Sequence, residues 1–421
     1  MDAAIRDVVI AGGGAAGYFA AAEILRRRPQ ASVLMLEKTG QTLAKVRISG
    51  GGRCNATHHC FDAIQLLENY PRGNPWLKEV FAAFPVKQTI RWFQDRGVRL
   101  VAESDGRMFP ESNQSDSIIR ALKDSARGEN YRLHLNQALT KVEKTRTGFR
   151  LQLSNGDAVE SRTLLLACGG NPGKAGLHFL DALGLERVNA VPSLFTFNVK
   201  NHSWKDLMGL SAESAAVSLP DFGFSFRGPV LVTHWGFSGP AVLKLSAAAA
   251  RLLHACDYQF EFRIDFLPDH SLDKVAEELK RQAQENPRQK PLNARLFGLP
   301  QRLWEKLCSE SGLSAYHNWA EAGKKSLQKM AGLLKGSAFR ASGKTTFKEE
   351  FVTAGGIDLQ EVNPKTCESF RHPGLYFAGE VLDVDGFTGG FNFQAAWSTA
   401  FAAASAIAGQ LGQPMVQASD D

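Results

Sequence analysis

The sequence has few cysteines, little net charge and no long apolar run. Its 421 residues include six cysteines, which are scattered too widely for the disulfide framework of a small secreted protein. No stretch reaches the roughly 18–20 apolar residues that a membrane-spanning helix needs. Lys and Arg number 49 against 43 Asp and Glu. This small excess permits an anionic or nucleic-acid partner but does not indicate one.

Several signatures of common enzyme classes are also missing. We find no Walker loop, no paired-carboxylate signature and no Ser-His-Asp arrangement. The chain starts with acidic Asp2, and its first apolar run breaks at once into glycines. A signal peptide has neither feature. We therefore expect a cytoplasmic protein of two or three domains.

The first forty residues carry a dinucleotide-binding pattern. A short apolar run ends at Ala11, and Gly12, Gly14 and Gly17 follow as G-x-G-x-x-G before an alanine-rich helical pattern. The first glycine allows a tight turn, the second lets a pyrophosphate approach the backbone, and the third lets the helix pack closely on the sheet. Glu37 ends the next apolar run, where a carboxylate accepts hydrogen bonds from a ribose.

A long segment after Glu37 indicates FAD rather than NAD. A nicotinamide dehydrogenase normally enters its second crossover helix at once, whereas here "KTGQTLAKVRISGGGRCN" intervenes. We predict a glycine-rich loop that follows the dinucleotide up to an isoalloxazine ring, with the amides of residues 50–52 against the ligand. The basic residues of the loop are Lys38, Lys45, Arg47 and Arg53.

The stretch "ISGGGRCNATHHC" admits other interpretations. Cys54, His58, His59 and Cys60 suggest a metal site, but adjacent histidines in a strand point to opposite faces and no second ligand pair follows. Cys54 is also a candidate redox thiol. We favour a small buried residue beside the cofactor, and we predict no metal.

The middle of the chain has two further glycine-rich or strand-rich parts. "LLLACGGNPGKAG" ends at Gly176 and resembles a second nucleotide site, but Pro172 interrupts any following helix, so we favour a strand-to-loop crossing. Residues 131–161 indicate short strands joined by an Asn-Gly turn. That three-stranded insert is common in large flavoprotein domains, and it places Leu139 where it can touch an adenine.

Residues 194–264 alternate in the manner of a small antiparallel barrel or sandwich, and residues 271–335 have helical periodicity. The chain then returns to a strand, Gly379, Glu380, a glycine loop containing Gly389 and Gly390, and a helix from about Asn392. In such an arrangement the acid faces the ribityl or pyrophosphate region, and the helix N-terminus points to the pyrimidine edge of the flavin.

These residues together resemble a known family. "GGGAAG", "ISGGGRCN", "THWGFSGPAVLKLS", "VTAGGI", "NPKT" and "GLYFAGEVLDVDGFTGGFNFQ" are similar to motifs of the bacterial NAD(P)/FAD-dependent oxidoreductases of the YhiN/BaiN type, the aminoacetone oxidase-like flavoproteins. The resemblance implies an α/β fold. A discontinuous Rossmann-like FAD-binding domain (1–194 and 345–421) is interrupted by an inserted β-barrel (195–270) and a helical subdomain (271–344).

The resemblance also implies which residues contact FAD, namely Ala16, Glu37, Lys45, Gly51, Asn55, Glu380, Asn392 and their neighbours. With the residues singled out above, the predicted cofactor-binding set is Gly12, Gly14, Ala15, Ala16, Gly17, Glu37, Lys38, Lys45, Ser49, Gly50, Gly51, Gly52, Cys54, Asn55, Leu139, Gly379, Glu380, Gly390, Phe391, Asn392 and Phe393.

The sequence assigns no catalytic residue. Cys54, Asp383, Asp385 and His234 are candidate proton donors, each interpreted as structural. We predict an FAD-dependent oxidoreductase of a small-molecule or single-base substrate, with NAD(P)H as a transient electron donor or oxygen as acceptor. The alternatives are a flavoprotein that reduces or binds ribosomal RNA and a non-catalytic flavin carrier. We expect a monomer or small homo-oligomer, with the insert forming one wall of the site.

Overall fold

The computed structural model describes residues 5–170, 176–200, 202–345 and 352–412. These residues form two compact units, residues 1–192 with 348–421 (unit 1) and residues 193–347 (unit 2). Unit 1 is therefore discontinuous in sequence. The predicted domain bounds stay a prediction.

The strands of both units follow the chain in numerical order. They are β1 Arg6–Ala11, β2 Val33–Leu36, β3 Thr57–His58, β4 Leu100–Ala102, β5 Arg107–Pro110, β6 Tyr131–His134, β7 Leu139–Lys144, β8 Phe149–Leu153, β9 Ala158–Leu166, β10 Arg187–Ser193, β11 Thr196–Asn198, β12 Ser211–Leu219, β13 Phe224–Val232, β14 Gly236–Ser238, β15 Gln259–Asp265, β16 Ser337–Ser342, β17 Lys344–Thr345, β18 Val352–Ile357 and β19 Leu375–Phe377.

The α-helices are numbered in the same way. They are α1 Ala15–Arg27, α2 Ala44–Gly52, α3 Ala63–Leu67, α4 Asn74–Ala83, α5 Val86–Gln94, α6 Ser115–Ser125, α7 Pro240–Ala248, α8 Ala250–Ala255, α9 Leu272–Glu285, α10 Gln301–Ser311, α11 Lys324–Gly336 and α12 Phe391–Gln410.

The main sheet of unit 1 has the order β6-β2-β1-β9-β8-β7, with β19 also paired to β9. The strands β6, β2, β1, β9 and β19 are parallel to their neighbours. By contrast, β7, β8 and the first half of β9 form an antiparallel meander. The α/β class and the Rossmann-type organisation predicted from the sequence are confirmed. Strand β6, however, belongs to the parallel sheet and not to the predicted three-stranded insert.

The core of unit 1 joins the two ends of its sequence. Helices α1 and α12 pack against each other, and both are rich in buried alanine, which permits close approach of their backbones. The Phe19 ring of α1 lies 4.5 Å from the Trp92 ring and 5.6 Å from the Trp397 ring. Aromatic packing of this kind holds the helix pair over the sheet.

Unit 2 is built on an antiparallel sheet with the order β16-β15-β12-β13-β14-β11-β17. Strands β16 and β17 are consecutive and separated only by Gly343, so the sheet begins and ends on one chain segment and closes as a small barrel. Aromatic residues including Phe197, Phe237 and Phe262 fill it. Residues of α9, α10 and α11 belong to the same hydrophobic core.

Candidate functional site

The turn between β1 and α1 is built as the glycine pattern predicts. A Cβ on Gly12 would lie 2.3 Å from the Ala167 carbonyl oxygen, and one on Gly17 would lie 2.0 Å from the Gly12 oxygen. Any larger residue would force these segments apart. At Gly14, in contrast, an added Cβ meets no atom of the described residues within 4 Å. Its backbone is thus the part of this turn that a ligand can approach.

Helix α1 starts without a side-chain cap. Gly14 is the N-cap residue, and the first helical hydrogen bond runs from the Tyr18 N–H to the Gly14 oxygen at 3.1 Å. The amides of Ala15, Ala16 and Gly17 therefore have no carbonyl one turn earlier within the helix. They form the positive end of the helix dipole, which suits a phosphate.

Glu37 lies at the end of β2 beside the same turn. Its Oε2 accepts a hydrogen bond from the Gly13 N–H (2.9 Å), and its Oε1 accepts from the Thr39 N–H (2.9 Å) and hydroxyl (2.8 Å). A carboxylate has about four acceptor positions, so the group keeps capacity for a ribose hydroxyl. The neighbouring Lys38 is exposed.

Leu139 lies two residues after Gln137, which forms a backbone hydrogen bond with Glu37. The Gln137 N–H donates to the Glu37 carbonyl oxygen at 2.9 Å, and Leu139 opens β7 two residues later, paired with Leu153. This places the start of β7 near Glu37. The contact of Leu139 with an adenine stays a prediction.

The segment after Glu37 is not a continuous loop, which corrects the sequence prediction. Residues from Ala44 form the short helix α2, with the Arg47 N–H bonded to the Leu43 oxygen at 3.0 Å. The run Ala-Lys-Val-Arg-Ile has no helix breaker, so one turn forms before the glycines. Helical geometry is lost at Ser49, and the φ angles at Gly50, Gly51 and Gly52 are 59°, 68° and 85°.

The triple glycine faces two environments. A Cβ on Gly50 would lie 2.8 Å from the Phe109 ring, whereas Cβ atoms on Gly51 and Gly52 would meet nothing within 4 Å among the described residues. The positive φ angles favour glycine at all three positions. Gly51 and Gly52 thus present bare backbone on the side away from the protein, as a cofactor-embracing segment requires.

Ion pairs hold the basic residues of this segment. Arg47 pairs with Asp116 at 2.8 Å. Arg53 pairs with Glu103 at 2.7 Å and lies 3.8 Å from the centre of the Phe109 ring. These two contacts hold the segment against β5, α6 and the turn before β5.

Lys45 pairs with the second predicted acid. Its Nζ lies 2.8 Å from Oε2 of Glu380, although the two residues are 335 positions apart in sequence. The other carboxylate oxygen of Glu380 accepts from the Thr353 N–H at 2.7 Å. The pair joins α2 to the turn after β19, and it brings two of the predicted cofactor residues together.

Cys54 is a buried structural residue. Its N–H donates to the Ser49 oxygen at 2.9 Å, its φ is 63°, and its side chain is inaccessible. Burial raises the pKa of the Cys54 thiol to about 12, although a hydrogen bond with Ser49 partly opposes the shift. The thiol is therefore protonated at neutral pH, which does not fit a redox nucleophile.

The N-terminus of α12 lies at the other end of the site. Gly390 is its N-cap with φ 92° and no side-chain cap is present, so the amides of the residues 391–393 form its positive end. A Cβ on Gly390 would lie 2.4 Å from the Thr57 oxygen and 2.8 Å from Oδ1 of Asn55. Strand β3 and Asn55 therefore lie directly against the start of this helix.

Side chains around this helix start fix the preceding loop. The Asn392 side chain accepts from the Gly386 N–H and donates to its carbonyl, both at 2.8 Å. The ring of Phe391 stacks on His58 at 4.6 Å, and that of Phe393 stacks on Trp397 at 5.6 Å. The residues predicted here serve mainly to position the backbone amides.

Gly379 connects the first and last motifs. A Cβ at this position would lie 3.1 Å from the Ala16 Cβ in the first turn of α1. The Gly379 N–H donates to the Thr399 hydroxyl of α12 at 2.9 Å. The start of α1 and the turn that carries Glu380 are thus neighbours, as a ligand that spans both motifs requires.

The candidate proton donors lie in different settings. Asp385 is fully buried and forms an ion pair with Arg72, which gives it a structural role. Asp383 is partly buried, and its N–H donates to the Ile357 oxygen at 3.0 Å. His234 belongs to unit 2. Arg72 was missed in the sequence because nothing local marks it as the partner of an acid 313 residues away.

The histidines after Asn55 point to different neighbours. His58 stacks on Phe391, whereas His59 lies 4.5 Å from the Phe61 ring in an edge-on contact. No group of three or more His, Cys, Asp or Glu residues that could hold a metal ion occurs in the part of the chain that the structure describes.

Residues 6–406 of the sequence match the protein family described as "HI0933-like protein Rossmann domain". The chain belongs to the HI0933-like Rossmann family. This confirms the YhiN/BaiN-type resemblance drawn from the motifs. The oxidoreductase assignment agrees with a curated relative whose name specifies a reductase.

Curated relatives span almost the whole chain. A ribosomal RNA dihydrouridine synthase of Escherichia coli is 31% identical over 94% of this chain and 97% of its own length. The protein of the same name from Haemophilus influenzae is 30% identical over 96% of this chain and 98% of its own length. A 3-dehydro-bile acid delta(4,6)-reductase of Clostridium scindens is 26% identical over 95% of this chain and 98% of its own length.

Solved structures share the fold. A 3-ketosteroid delta1-dehydrogenase from Sterolibacterium denitrificans has a TM-score of 0.50 at 13% identity and covers 96% of this chain and 100% of its own. A quinol-fumarate reductase has a TM-score of 0.50 at 14% identity, and the match covers 99% of this chain and 73% of that chain. Among the described residues, no helix combines the length and the apolar character needed to cross a membrane.

Proposed function

We propose that the chain is an FAD-dependent oxidoreductase that reduces a carbon–carbon double bond conjugated to a carbonyl, in a small molecule or a single base. The contact of Gly379 with Ala16 is the observation that carries the FAD assignment. It brings the uncapped start of α1 next to the turn that carries the Lys45–Glu380 pair, and Glu37 accepts a hydrogen bond from Gly13 in the turn before the same helix. A dinucleotide that extends from Glu37 to the α12 N-terminus needs this set.

Different parts of this site would hold different parts of FAD. The amides at the start of α1 and the backbone at Gly14 would bind the pyrophosphate, and Glu37 would bind the ribose. Gly51 and Gly52 would lie against the flavin. Its pyrimidine edge would face the α12 N-terminus, which stabilises the negative charge that reduction builds there.

The relatives support the reaction class. One name specifies dihydrouridine synthesis and another a delta(4,6)-reductase. In both reactions a hydride adds to one carbon of a double bond, a proton adds to the other, and a conjugated carbonyl takes up the charge. NAD(P)H would first reduce the bound FAD by two electrons, and the reduced cofactor would then supply the hydride to the substrate. Overall, NAD(P)H, a proton and the unsaturated substrate give NAD(P)+ and the saturated product.

Anaerobic flavin reduction tests this function. The purified protein should release FAD, and not FMN or NAD, when it is denatured. NADH or NADPH should bleach the bound flavin under nitrogen. A uridine-containing ribosomal RNA fragment or an α,β-unsaturated ketone should then restore the oxidised spectrum. Reoxidation by oxygen alone, with neither substrate active, would favour an oxidase. A folded chain that takes up no added FAD would refute the proposal.

A further inference from the structure

The barrel of unit 2 carries a closed turn that the cofactor site does not use. Residues 233–236 join β13 to β14, with the Thr233 N–H bonded to the Gly236 oxygen at 2.8 Å. The Gly236 N–H donates back to the Thr233 hydroxyl at 3.1 Å. His234 and Trp235 occupy the two central positions, and both are exposed. The turn therefore holds two aromatic side chains out from a rigid base.

The exposure of Trp235 is unusual for this residue type. Its side chain is 55% exposed, and its ring stands perpendicular to that of His234 at 5.0 Å. Of the large fully buried side chains in the described chain, four are tryptophans. A tryptophan left on the surface in a hydrogen-bonded turn marks a contact site more often than a scattered apolar residue does.

Other exposed apolar groups adjoin the turn. Met208 is 57% exposed and Leu231 is 37% exposed. Backbone hydrogen bonds bring them together, since the Gly209 N–H donates to the Val232 oxygen at 3.0 Å. Leu231 lies in β13 and Met208 directly precedes Gly209, so the exposed apolar side chains adjoin the turn that carries Trp235.

Cations flank this patch. Lys200 follows Val199, whose N–H donates to the Trp235 oxygen at 2.9 Å, and Lys205 precedes Met208 by three residues. Both lysines are exposed, and neither forms an ion pair with any residue that the structure describes. Two unpaired cations beside an exposed aromatic suit a ligand that has both planar rings and negative charge.

The distribution of charge between the units also favours a negatively charged ligand at this patch. Residues 193–347 contain 20 Lys and Arg against 14 Asp and Glu, so unit 2 carries a net +6. The remaining residues contain 29 of each, so unit 1 has no net formal charge. The whole excess of positive charge thus lies in the unit that carries the patch, and it would attract a polyanion to that unit.

We propose that the hairpin patch, defined as Lys200, Lys205, Met208, Leu231, His234 and Trp235, docks a single-stranded or looped segment of RNA. Trp235 and His234 would stack on bases, which is sequence-tolerant because every base has a π-face. Lys200 and Lys205 would contact phosphates. The inference rests on the proposed function and deepens it, because it assigns to the barrel of unit 2 the surface that would hold an RNA substrate.

The test measures RNA binding by the FAD-loaded protein. The probe is a uridine-rich stem-loop RNA, titrated at several salt concentrations. Trp235→Ala should weaken binding about tenfold, because loss of one base stack has effects of this order, and Trp235→Phe should restore part of it. Lys200→Glu with Lys205→Glu should reduce the slope of log affinity against log salt by about two. Tyr316→Ala is the matched control, since Tyr316 is a 91% exposed aromatic of the same unit.

Each outcome decides the proposal. FAD content and reduction by NAD(P)H should stay unchanged in every variant, and this separates the patch from the cofactor site. Normal reduction with no RNA binding would refute the patch and leave the proposed function standing. RNA binding that survives Trp235→Ala but is lost with Lys324, Lys325 and Lys329 changed to Glu would move the surface to α11. Binding to no RNA, with a dimer that Trp235→Ala dissociates, would make the patch a self-association surface.

Discussion

The glycines of unit 1 fall into two groups with different neighbours. At Gly12 and Gly17 an added Cβ would lie 2.3 and 2.0 Å from backbone oxygens of the protein. At Gly14 and Gly51 it would meet no described atom within 4 Å. The first group is needed for the chain to fold. The second group leaves room beside the backbone, at positions that the proposed function assigns to the cofactor.

Open space at a glycine is not sufficient evidence of a ligand. Gly156 in the turn between β8 and β9 also has no neighbour within 4 Å, because turns of this kind need its positive φ. Gly14 is different, since it caps the start of α1 with a φ of −90° that any residue can adopt. Glycine is therefore not required there by the backbone, and the proposed function explains it by the approach of a ligand.

The largest effect is expected from Gly17→Ala. The new methyl group would lie 2.0 Å from the Gly12 oxygen, so α1 and the turn must separate. We expect a loss of about 3 kcal/mol in the free energy of unfolding, or failure to accumulate soluble protein. Urea denaturation measures this. Gly409→Ala in α12 is the control, because it meets no neighbour and should stabilise by roughly 0.5–1 kcal/mol.

Gly14→Ser separates cofactor binding from folding. Serine is a good N-cap residue, so the free energy of unfolding of the cofactor-free protein should fall little or rise. Its side chain would occupy the approach of the pyrophosphate, and FAD affinity should drop at least about tenfold. Fluorescence titration with FAD measures the affinity. Gly323→Ser is the control, since Gly323 is the N-cap of α11 and an added Cβ meets no described atom within 4 Å. It should change the free energy of unfolding by only a few tenths of a kcal/mol and leave FAD affinity unchanged.

Unchanged FAD affinity in Gly14→Ser would show that the open space at Gly14 is not a cofactor site, and the second group of glycines would then have no common role. Gly51→Asn is a second test of the same distinction by FAD titration. Asparagine tolerates the positive φ of this position, so the change adds a side chain without forcing the backbone to move. If Gly51→Asn also binds FAD normally, the segment 48–60 lies outside the cofactor site.

Substitution of Glu37 is expected to have an intermediate effect. Glu37→Gln keeps the shape and one acceptor oxygen, so FAD affinity should fall several-fold. Glu37→Arg places a cation at the ribose and removes the acceptor of the Gly13 N–H, so affinity should fall further. Glu79→Arg, at an exposed position of α4, serves as the control for charge reversal. Equal affinities of the Gln, Arg and parent proteins would exclude Glu37 from the site.

Local patterns predicted the β1–turn–α1–β2 unit, because strand, glycines and helix are adjacent in sequence and each has a short-range signal. Helix α1 spans Ala15–Arg27, where the alanine-rich pattern predicted a helix. Helix α2 was missed because its single turn is shorter than the window in which periodicity is visible. The pairs Lys45–Glu380 and Arg72–Asp385 join positions more than 300 residues apart, and a single sequence contains no signal for such contacts.

The smallest effect is expected at the cysteines of the segment 48–60, and it tests whether this segment serves the cofactor or a thiol. Burial raises the pKa of Cys54 to about 12, so at pH 8 only about one thiol in 10⁴ is ionised. Burial also raises the pKa of Cys60, but that residue is partly exposed. Peptide mapping after iodoacetamide treatment of the native protein should find label at Cys60 and almost none at Cys54, with labelling that increases as pH rises from 7 to 9. Cys60→Ser should keep its full FAD content. Rapid labelling of Cys54 at pH 7, or loss of FAD in Cys60→Ser, would show that the thiols have the role here assigned to the glycine backbone.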